Sequence, residues 1–176
     1  MLHLVFDSNA LITCCQAGSQ HRPAIEDLLA VSTLSIPTAV EQEVLAAHTR
    51  YSDASLVSRL ITMGRIQVSP ANLPADSVLE GYRLGSGEKE CVAFCLDHAG
   101  QVDFWVTDDR LAYVVGRRCG IPALLFLDLV IELVQRELWD LELATKIVQS
   151  VQHRFSGGFV PHTLSILRSG DRKCLS

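Results

Sequence analysis

Carboxylate side chains recur in four separate segments, each at the end of a predicted strand or in an adjoining helix. They are Asp7, Glu41 and Glu43, Glu88 and Glu90, and Asp108 and Asp109. In open parallel sheets, ligands bind outside the carboxyl ends of the strands. We therefore expect these acids to converge at one edge of a sheet.

A converging set of acids needs a positive charge. Two carboxylates about 4 Å apart repel each other by roughly 4 kcal/mol at an effective dielectric constant of about 20. A larger cluster would hold protons or splay apart unless a cation neutralised it. Oxygen ligands suit Mg²⁺ or Mn²⁺, and no His or Cys is spaced to compete for the ion. Because such ions activate water and shield phosphoryl charge, the pattern predicts hydrolysis of a phosphodiester.

Helix capping is the competing interpretation of the same acids. Asp at a strand-to-helix junction is an ordinary N-cap, and Glu in a first turn is favoured by the helix dipole. Capping therefore stays open for Asp7, and it favours a structural role for one of Asp108 and Asp109. It explains Glu43 less well, because one of Glu41 and Glu43 can face solvent while the other faces the sheet edge.

The elements that must position these acids alternate between strand and helix. Strands are predicted at HLVF, LSIP, RIQVSP, VDFWVTDD and IPALLF. Helices are predicted at HRPAIEDLLAV, TAVEQEVLAAH, ASLVSRLITMG, GSGEKECVAFCLDHAG, DRLAYVVGRRCG, DLVIELVQRE and DLELATKIVQSVQ, followed by a loop at HRFSGGFVP and a short helix at HTLSILRSG. Strands separated by helices predict an α/β fold with a parallel sheet and helices on both faces.

Composition limits the classes of protein that fit. The chain has 176 residues, 48% of them hydrophobic, as expected for one compact domain. Asp128 and Glu132 interrupt the longest apolar run, so we expect no membrane span. The six cysteines have no zinc-like spacing, and most of them are predicted to be buried thiols in a reducing, cytoplasmic compartment.

The charge balance argues against a nucleic-acid-binding protein with a broad basic surface. The net charge is −5 and the calculated pI is about 5.6. An enzyme that meets nucleic acid through metal ions and a few arginines remains compatible with it. Arg110 and Arg117, which follow the fourth acidic segment, are the candidate contacts to a phosphate backbone.

Four stretches resemble, in chain order, the four acidic motifs of PIN-domain ribonucleases: FDSNALI, IPTAVEQEVL, GSGEKECVAFC and WVTDDRLAYVVGRRCGIP. The resemblance covers about residues 2–135 and is strongest to the prokaryotic, VapC-like subgroup with a G-E-x-E third motif and a double Asp in the fourth. It implies a three-layer α/β/α sandwich and Mg²⁺- or Mn²⁺-dependent cleavage of RNA. It also implies a PIN-like domain at residues 1–150, with residues 151–176 as an extension that packs on it or trails from it.

The resemblance also assigns roles to residues. Asp7, Glu43 and Glu88 match the metal-binding acids of the first three motifs, with Glu90 a close second to Glu88. The fourth motif does not separate Asp108 from Asp109. Asn9 and Thr107 match groups that orient these carboxylates. Many relatives are toxins neutralised by a small antitoxin, and dimers are common, so we expect a possible antitoxin partner and a homodimer.

Two alternatives stay open. A haloacid-dehalogenase-like phosphohydrolase also begins with Asp at a strand end, but its D-x-D-x-T pattern needs a second acid where this chain has Asn9. A non-catalytic PIN-like interaction module would keep the acids without the geometry for catalysis.

Overall fold

A parallel sheet of five strands forms the centre of the computed structural model, which describes residues 1–19, 22–47, 52–73 and 78–170. The strands are β1 Leu2–Phe6, β2 Gly18–Ser19, β3 Arg22–Pro23, β4 Ser32–Pro37, β5 Ile66–Ser69, β6 Phe104–Thr107 and β7 Ala123–Leu125. The main sheet has the order β5-β4-β1-β6-β7 with every neighbouring pair parallel, and β2 and β3 form a separate antiparallel pair. The predicted α/β class is confirmed.

The helices follow the predicted alternation closely. They are α1 Ser8–Gln16, α2 Ala24–Val31, α3 Thr38–Ala47, α4 Ser52–Thr62, α5 Ser86–Asp97, α6 Arg110–Arg118, α7 Phe126–Gln135, α8 Leu141–Ser150 and α9 Phe159–Ser169, with short 3-10 turns at Val78–Gly81 and Gln152–Arg154. The sequence reading had not assigned α1, nor the β2–β3 pair. The predicted loop HRFSGGFVP, residues 153–161, contains the end of the second 3-10 turn and the start of α9. The beginning of the first predicted helix and the end of the second fall at residues 21 and 48, outside the described residues.

The direction of the crossovers places helices on both faces of the sheet. From β1 the chain moves outward through β4 to β5, and after α5 it returns to β6 and moves outward the other way to β7. Because parallel crossovers are right-handed, connections running in opposite directions leave their helices on opposite faces. Helix α1 contacts α2, α4 and α7, whereas α5 contacts β1 and β4, and α6 contacts β6 and β7. Helix α3 contacts both α1 and α5. The result is a three-layer α/β/α sandwich.

The centre of the sheet is tightly packed with buried side chains. Phe6 of β1 and Trp105 of β6 are fully buried side chains on adjacent strands. Gly116 lets α6 approach this layer, because a Cβ at that position would lie 2.5 Å from Cζ3 of Trp105. The largely buried strands β1 and β6 therefore fix where Asp7 and the Asp108–Asp109 pair leave the sheet.

The C-terminal helix packs on the rest of the fold. Helix α9 contacts α7 and α8, and its buried residues include Val160, Ile166 and Leu167. The helix ends at Gly170, which adopts the left-handed conformation with φ of 65°. The domain division at residue 150 stays a prediction, and the last part of the extension, residues 171–176, lies outside the described residues.

Two further expectations concern surfaces and thiols. No described helix has both the length and the apolar character needed to span a membrane. Among the described residues, Cys14, Cys15, Cys91 and Cys95 are buried free thiols, and Cys119 is partly exposed. The thiols therefore act as small apolar core residues.

Candidate active site

Asp7 both caps a helix and presents an uncommitted oxygen. It leaves β1, its Oδ1 accepts a hydrogen bond of 2.8 Å from the amide of Ala10, and α1 begins at the next residue. The side chain is buried, and its Oδ2 has no hydrogen-bond partner among the described residues. Capping and ligand binding are therefore compatible at this residue, because each uses a different oxygen.

Burial raises the pKa of Asp7 from about 3.8 to about 7. The Thr107 side chain and the Ala10 amide oppose this rise, while the negative charges of Asp108 and Glu88 add to it. A carboxyl with a pKa near neutrality holds a proton part of the time. A nearby cation would remove that proton and satisfy the buried oxygen.

Glu43 is fixed by hydroxyl and amide donors from two other helices. Its Oε2 accepts a 2.7 Å hydrogen bond from the hydroxyl of Ser8, in α1. Its Oε1 accepts from the hydroxyl of Ser86 at 3.2 Å and from the amide of Gly87 at 3.1 Å, both in the first turn of α5. A Cβ at position 87 would lie 3.0 Å from both oxygens and 3.1 Å from Cγ2 of Val40. Glycine at this position therefore allows α3 and α5 to approach with the carboxylate between them.

The two glutamates of the third segment point to different places. Glu88 Oε2 accepts a 2.8 Å hydrogen bond from the amide of Gly85, at the start of its own helix α5. Burial raises its pKa, with contributions from the charges of Asp109 and Glu43, so Glu88 faces the other acids. Glu90 Oε2 instead accepts a 2.8 Å hydrogen bond from the amide of Ala39, in the first turn of α3.

The two aspartates of the fourth segment also diverge. Asp109 caps α6 by accepting a 2.8 Å hydrogen bond from the Ala112 amide on its Oδ1. Asp108 uses both oxygens, since Oδ2 accepts from the hydroxyl of Thr13 at 2.6 Å and Oδ1 accepts from the amide of Phe126 at 3.3 Å. Burial raises the pKa of Asp108, and these two donors partly offset that effect. Asp108 thus lies between α1 and α7, whereas Asp109 faces Glu88.

The groups predicted to orient the acids occupy unequal positions. Thr107 is buried, its side chain interacts with Asp7, and its Oγ1 accepts a 3.1 Å hydrogen bond from the amide of Asp109. Asn9 is exposed, and its backbone carbonyl accepts from the Thr13 hydroxyl at 3.0 Å. The sequence reading missed three hydroxyls that hold the acids, those of Ser8, Thr13 and Ser86. Two of these hydroxyls could have been found from the sequence, because Ser8 directly follows Asp7 and Ser86 stands two residues before Glu88.

The two candidate phosphate-binding arginines lie at opposite ends of α6. Arg110 is exposed in the first turn, beside Asp109. Arg117 is exposed in the last turn, about 10 Å farther along the helix axis. Only Arg110 therefore lies at the acidic edge of the sheet.

The acids share one edge without closing around an ion. The electrostatic neighbours include Asp7 with Glu88, Glu88 with Asp109, and Glu88 with Glu43. Among the described residues, no three carboxylate, imidazole or thiolate groups come together closely enough to hold a metal ion. The donor set still fits a hard divalent cation, because its atoms are carboxylate oxygens and the buried Oδ2 of Asp7 lacks a partner.

No curated protein matches the chain. A solved structure with a similar fold is that of a PilT N-terminus domain protein, SSO1118, from the hyperthermophilic archaeon Sulfolobus solfataricus P2. It is 12% identical, with a TM-score of 0.48, and the match covers 89% of this chain and 99% of that one.

A family model described as DUF3368, a PIN domain, matches residues 3–164. PIN domains are typically nucleases and generally use divalent metal ions. The match spans all four acidic segments. The chain therefore belongs to the DUF3368 PIN-domain family.

Proposed function

We propose that this protein is a divalent-metal-dependent endoribonuclease that hydrolyses phosphodiester bonds of RNA. The observation that carries the proposal is the buried Oδ2 of Asp7 in a PIN domain, which accepts no hydrogen bond from the described residues and lies within electrostatic range of Glu88. An unpaired buried carboxylate oxygen is costly unless the proton or a cation compensates it. A divalent ion at this position would supply that compensation.

Asp7, Glu88 and Asp109 are the acids that we propose to hold Mg²⁺ or Mn²⁺. Asp7 has one oxygen without a partner, and the hydrogen bonds of Glu88 and Asp109 each occupy one oxygen only. Both oxygens of Glu43 accept hydrogen bonds, so its role as a ligand requires one of these bonds to be exchanged or bridged by water. When bound, the ion would polarise a phosphoryl oxygen and make a water molecule more acidic.

The remaining contacts position the acids. Thr13 and the Phe126 amide fix Asp108, so we assign Asp108 to support of the β6 end and not to direct metal binding. The contact of Glu90 with Ala39 likewise gives that residue the role of joining α5 to α3. Thr107 supports Asp7 with its side chain, and its Oγ1 accepts a hydrogen bond from the backbone amide of Asp109. These contacts hold ligand-bearing segments in place before an ion arrives.

The acidic edge by itself would repel RNA. The scissile phosphate is an anion, and the negative charges of neighbouring acids already add to the burial that raises the pKa of Asp7 and Glu88. Cleavage should therefore depend on added Mg²⁺ or Mn²⁺. Arg110, at the start of α6, is the nearer of the two predicted arginines and is proposed to contact the RNA backbone.

A second candidate function is a non-catalytic interaction module. The observation that favours it is the absence, in the described residues, of three acids close enough to enclose an ion. Such a module would bind a partner without needing Mn²⁺ and would show no cleavage. The dehalogenase-like alternative has no comparable support, because Asn9 is exposed where that chemistry needs a second aspartate.

The VapC-like role is proposed on the resemblance of the four motifs alone. In that role the protein is a cytoplasmic homodimer that a small antitoxin neutralises. Induced expression should then arrest growth, and Asp7→Asn should relieve the arrest. Growth that is equally slow with both proteins would reject the toxin role without touching the nuclease proposal.

The test of the nuclease proposal is cleavage of labelled single-stranded RNA by the purified protein across a Mn²⁺ titration. Asp7→Asn should slow cleavage by about a hundredfold or more, because several kcal/mol of charge stabilisation are lost. The matched control is Asp103→Asn, the same substitution at an acid beyond the other end of the sheet, where Oδ2 accepts from the amide of His3. Equal cleavage by wild type and Asp7→Asn would show a contaminating nuclease or a wrong assignment.

A further inference from the structure

The C-terminal part of the chain carries a charge opposite to that of the whole protein. Residues 143–170 contain Lys146, Arg154 and Arg168 but no Asp or Glu, whereas the chain as a whole has a net charge of −5. Lys146 is paired with Glu142 at 2.6 Å, so Arg154 and Arg168 carry the uncompensated formal charge of the segment. The segment also contains His153 and His162. A local cationic segment in an acidic protein is a candidate surface for a polyanion.

Arg154 connects this segment to the acidic edge. It ends the second 3-10 turn, and its Nη1 donates a 2.6 Å hydrogen bond to Oε1 of Gln16. Gln16 lies one helical turn after Thr13, whose hydroxyl binds Asp108. Arg154 is exposed, yet it lies close enough to Asp108 for its positive charge to lower the pKa of that buried carboxyl. One face of Arg154 is therefore held by the protein while the rest meets solvent.

His162 occupies a similar position one element later. It lies on α9, is exposed, and acts electrostatically on Asp128 in the first turn of α7. Asp128 in turn feels the charge of Asp108. Arg154 and His162 therefore each lie within electrostatic range of one of two neighbouring acids, Asp108 and Asp128.

An exposed aromatic ring lies on the same helix as His162. Phe159 is the first residue of α9 and is 52% exposed, although the neighbouring Val160 is buried. Residues three apart on a helix are neighbours on its surface, so Phe159 and His162 share one side of α9. Exposed aromatic rings between cationic side chains are how proteins without a sequence code hold single-stranded nucleic acid.

We propose that Arg154, Phe159 and His162, which we name the C-terminal rim, bind single-stranded RNA beside the acidic edge. Arg154 and His162 contact backbone phosphates, and Phe159 stacks on a base. The inference rests on the proposed function, since it names the surface that delivers RNA to that site. It also answers the electrostatic difficulty of the site, because the rim supplies positive charge next to carboxylates that repel the RNA.

A second group of arginines competes for this role. Arg22, Arg59 and Arg65 line a cavity of about 410 Å³ at α2 and α4. Glu26 also lines it, and Arg22 is paired with Asp27 at 2.9 Å, so part of its charge is already compensated. The described residues that line this cavity include no aromatic ring. Arg59 therefore provides the matched control for Arg154.

The experiment measures binding of a short fluorescein-labelled single-stranded RNA by anisotropy, with EDTA present to prevent cleavage. Arg154→Ala should weaken binding about tenfold and make the slope of log Kd against log salt shallower by about 0.7, the value for one phosphate contact. Arg154→Lys should keep the slope. Phe159→Ala should weaken binding about tenfold and leave the slope unchanged, because stacking releases no counterions. Arg59→Ala should bind RNA as wild type does.

Each outcome separates the rim from the nuclease. Wild type that cleaves RNA with Mn²⁺ while Arg154→Ala and Phe159→Ala bind RNA normally would overturn the rim and leave the nuclease standing. Wild type that binds RNA through the rim without any cleavage would support the rim and reject the nuclease. A loss in Arg59→Ala as large as that in Arg154→Ala would also overturn the rim, because the arginine cavity would then carry the binding.

Discussion

The carboxylate of Glu43 lies directly against the backbone of Gly87, with both oxygens 3.0 Å from the point where a Cβ would stand. The contact joins α3 to the first turn of α5, and the amide of Gly87 donates to Oε1 at 3.1 Å. Glycine at position 87 is thus a condition for the observed position of Glu43, a proposed active-site acid. The close contact makes a small substitution informative.

Gly87→Ala should displace Glu43. The increase in the activation free energy of cleavage should exceed the decrease in the free energy of unfolding. The added methyl group must push the carboxylate or Val40 aside, and overpacking of this kind costs about 1–3 kcal/mol. The neighbour must move by a few tenths of an ångström, and a shift of that kind in a catalytic group slows the reaction. The measurements are the Mn²⁺-dependent cleavage rate and the free energy of unfolding in urea.

Gly81→Ala is the matched control for that substitution. A Cβ at Gly81 would meet nothing within 4 Å, and the residue is not at positive φ. It should therefore keep both cleavage and stability. If Gly87→Ala cleaves RNA as fast as Gly81→Ala, Glu43 does not need its observed position for the reaction.

Glu88 and Glu90 should separate cleanly by substitution. Glu88→Gln removes a charge that faces Asp7, Glu43 and Asp109, so cleavage and the Mn²⁺-induced rise in melting temperature should both fall. Glu90→Gln keeps an oxygen that can accept from the Ala39 amide, so it should cleave RNA within about tenfold of wild type. The reverse order of effects would assign the third-motif ligand to Glu90.

The fold and the four acidic segments could be predicted because they depend on local pattern. Short apolar strands, helix starts and acids at their junctions are visible within ten or so residues of the sequence. Helix α1 was not predicted, because the sequence SNALITCCQ is apolar on most of its sides and has no acidic residue in its first turn. Its helical state is decided by the cap from Asp7 and by packing against the sheet.

The choice within each acidic pair could not be predicted, because it depends on partners that are distant in sequence. Glu90 accepts a hydrogen bond from the amide of Ala39, 51 residues away in the sequence. Asp108 accepts one from the hydroxyl of Thr13, 95 residues away. Arg154 reaches Gln16 across 138 residues. Periodicity gives the element on which a side chain lies, but only the packed structure shows which donor it meets. The roles of these residues in catalysis stay predictions.

The raised pKa of Asp7 predicts how stability should depend on pH when no metal is present. A carboxyl whose pKa rises from about 3.8 to about 7 on folding binds more protons in the folded state. Stability should therefore fall as the pH rises from about 4 through about 7. Asp7→Asn removes this effect, so above neutral pH in EDTA the variant should be more stable than wild type, by up to a few kcal/mol.

The same group predicts a metal effect of opposite direction. Mn²⁺ competes with the proton on Asp7, so the Mn²⁺-induced rise in melting temperature should grow as the pH increases through about 7. Asp7→Asn should show little rise at any pH. Melting curves at several pH values, with EDTA or with Mn²⁺, give both results. A wild type with the same pH dependence as Asp7→Asn would mean that Asp7 does not titrate in this range.

Asp108 and Asp109 should differ in how they respond to the loss of Thr13. Thr13 is fully buried and donates to Asp108 at 2.6 Å, so Thr13→Val leaves Asp108 Oδ2 without its donor at a cost of about 1–3 kcal/mol. If Asp108 acts only through this support, Asp108→Asn and Thr13→Val should lower stability and cleavage together. Combining the two should then add little to either loss.

Asp109→Asn should instead remove cleavage and leave most of the stability. The asparagine oxygen can still cap α6 by accepting from the Ala112 amide, whereas the negative charge that faces Glu88 is lost.

Thr62→Val, which removes an exposed hydroxyl that donates to the carbonyl of Ser58, is the matched control for Thr13→Val. Cleavage retained in Asp109→Asn but lost in Asp108→Asn, with Thr13→Val unaffected, would place the fourth-motif ligand at Asp108. The measured order therefore decides which aspartate faces the metal.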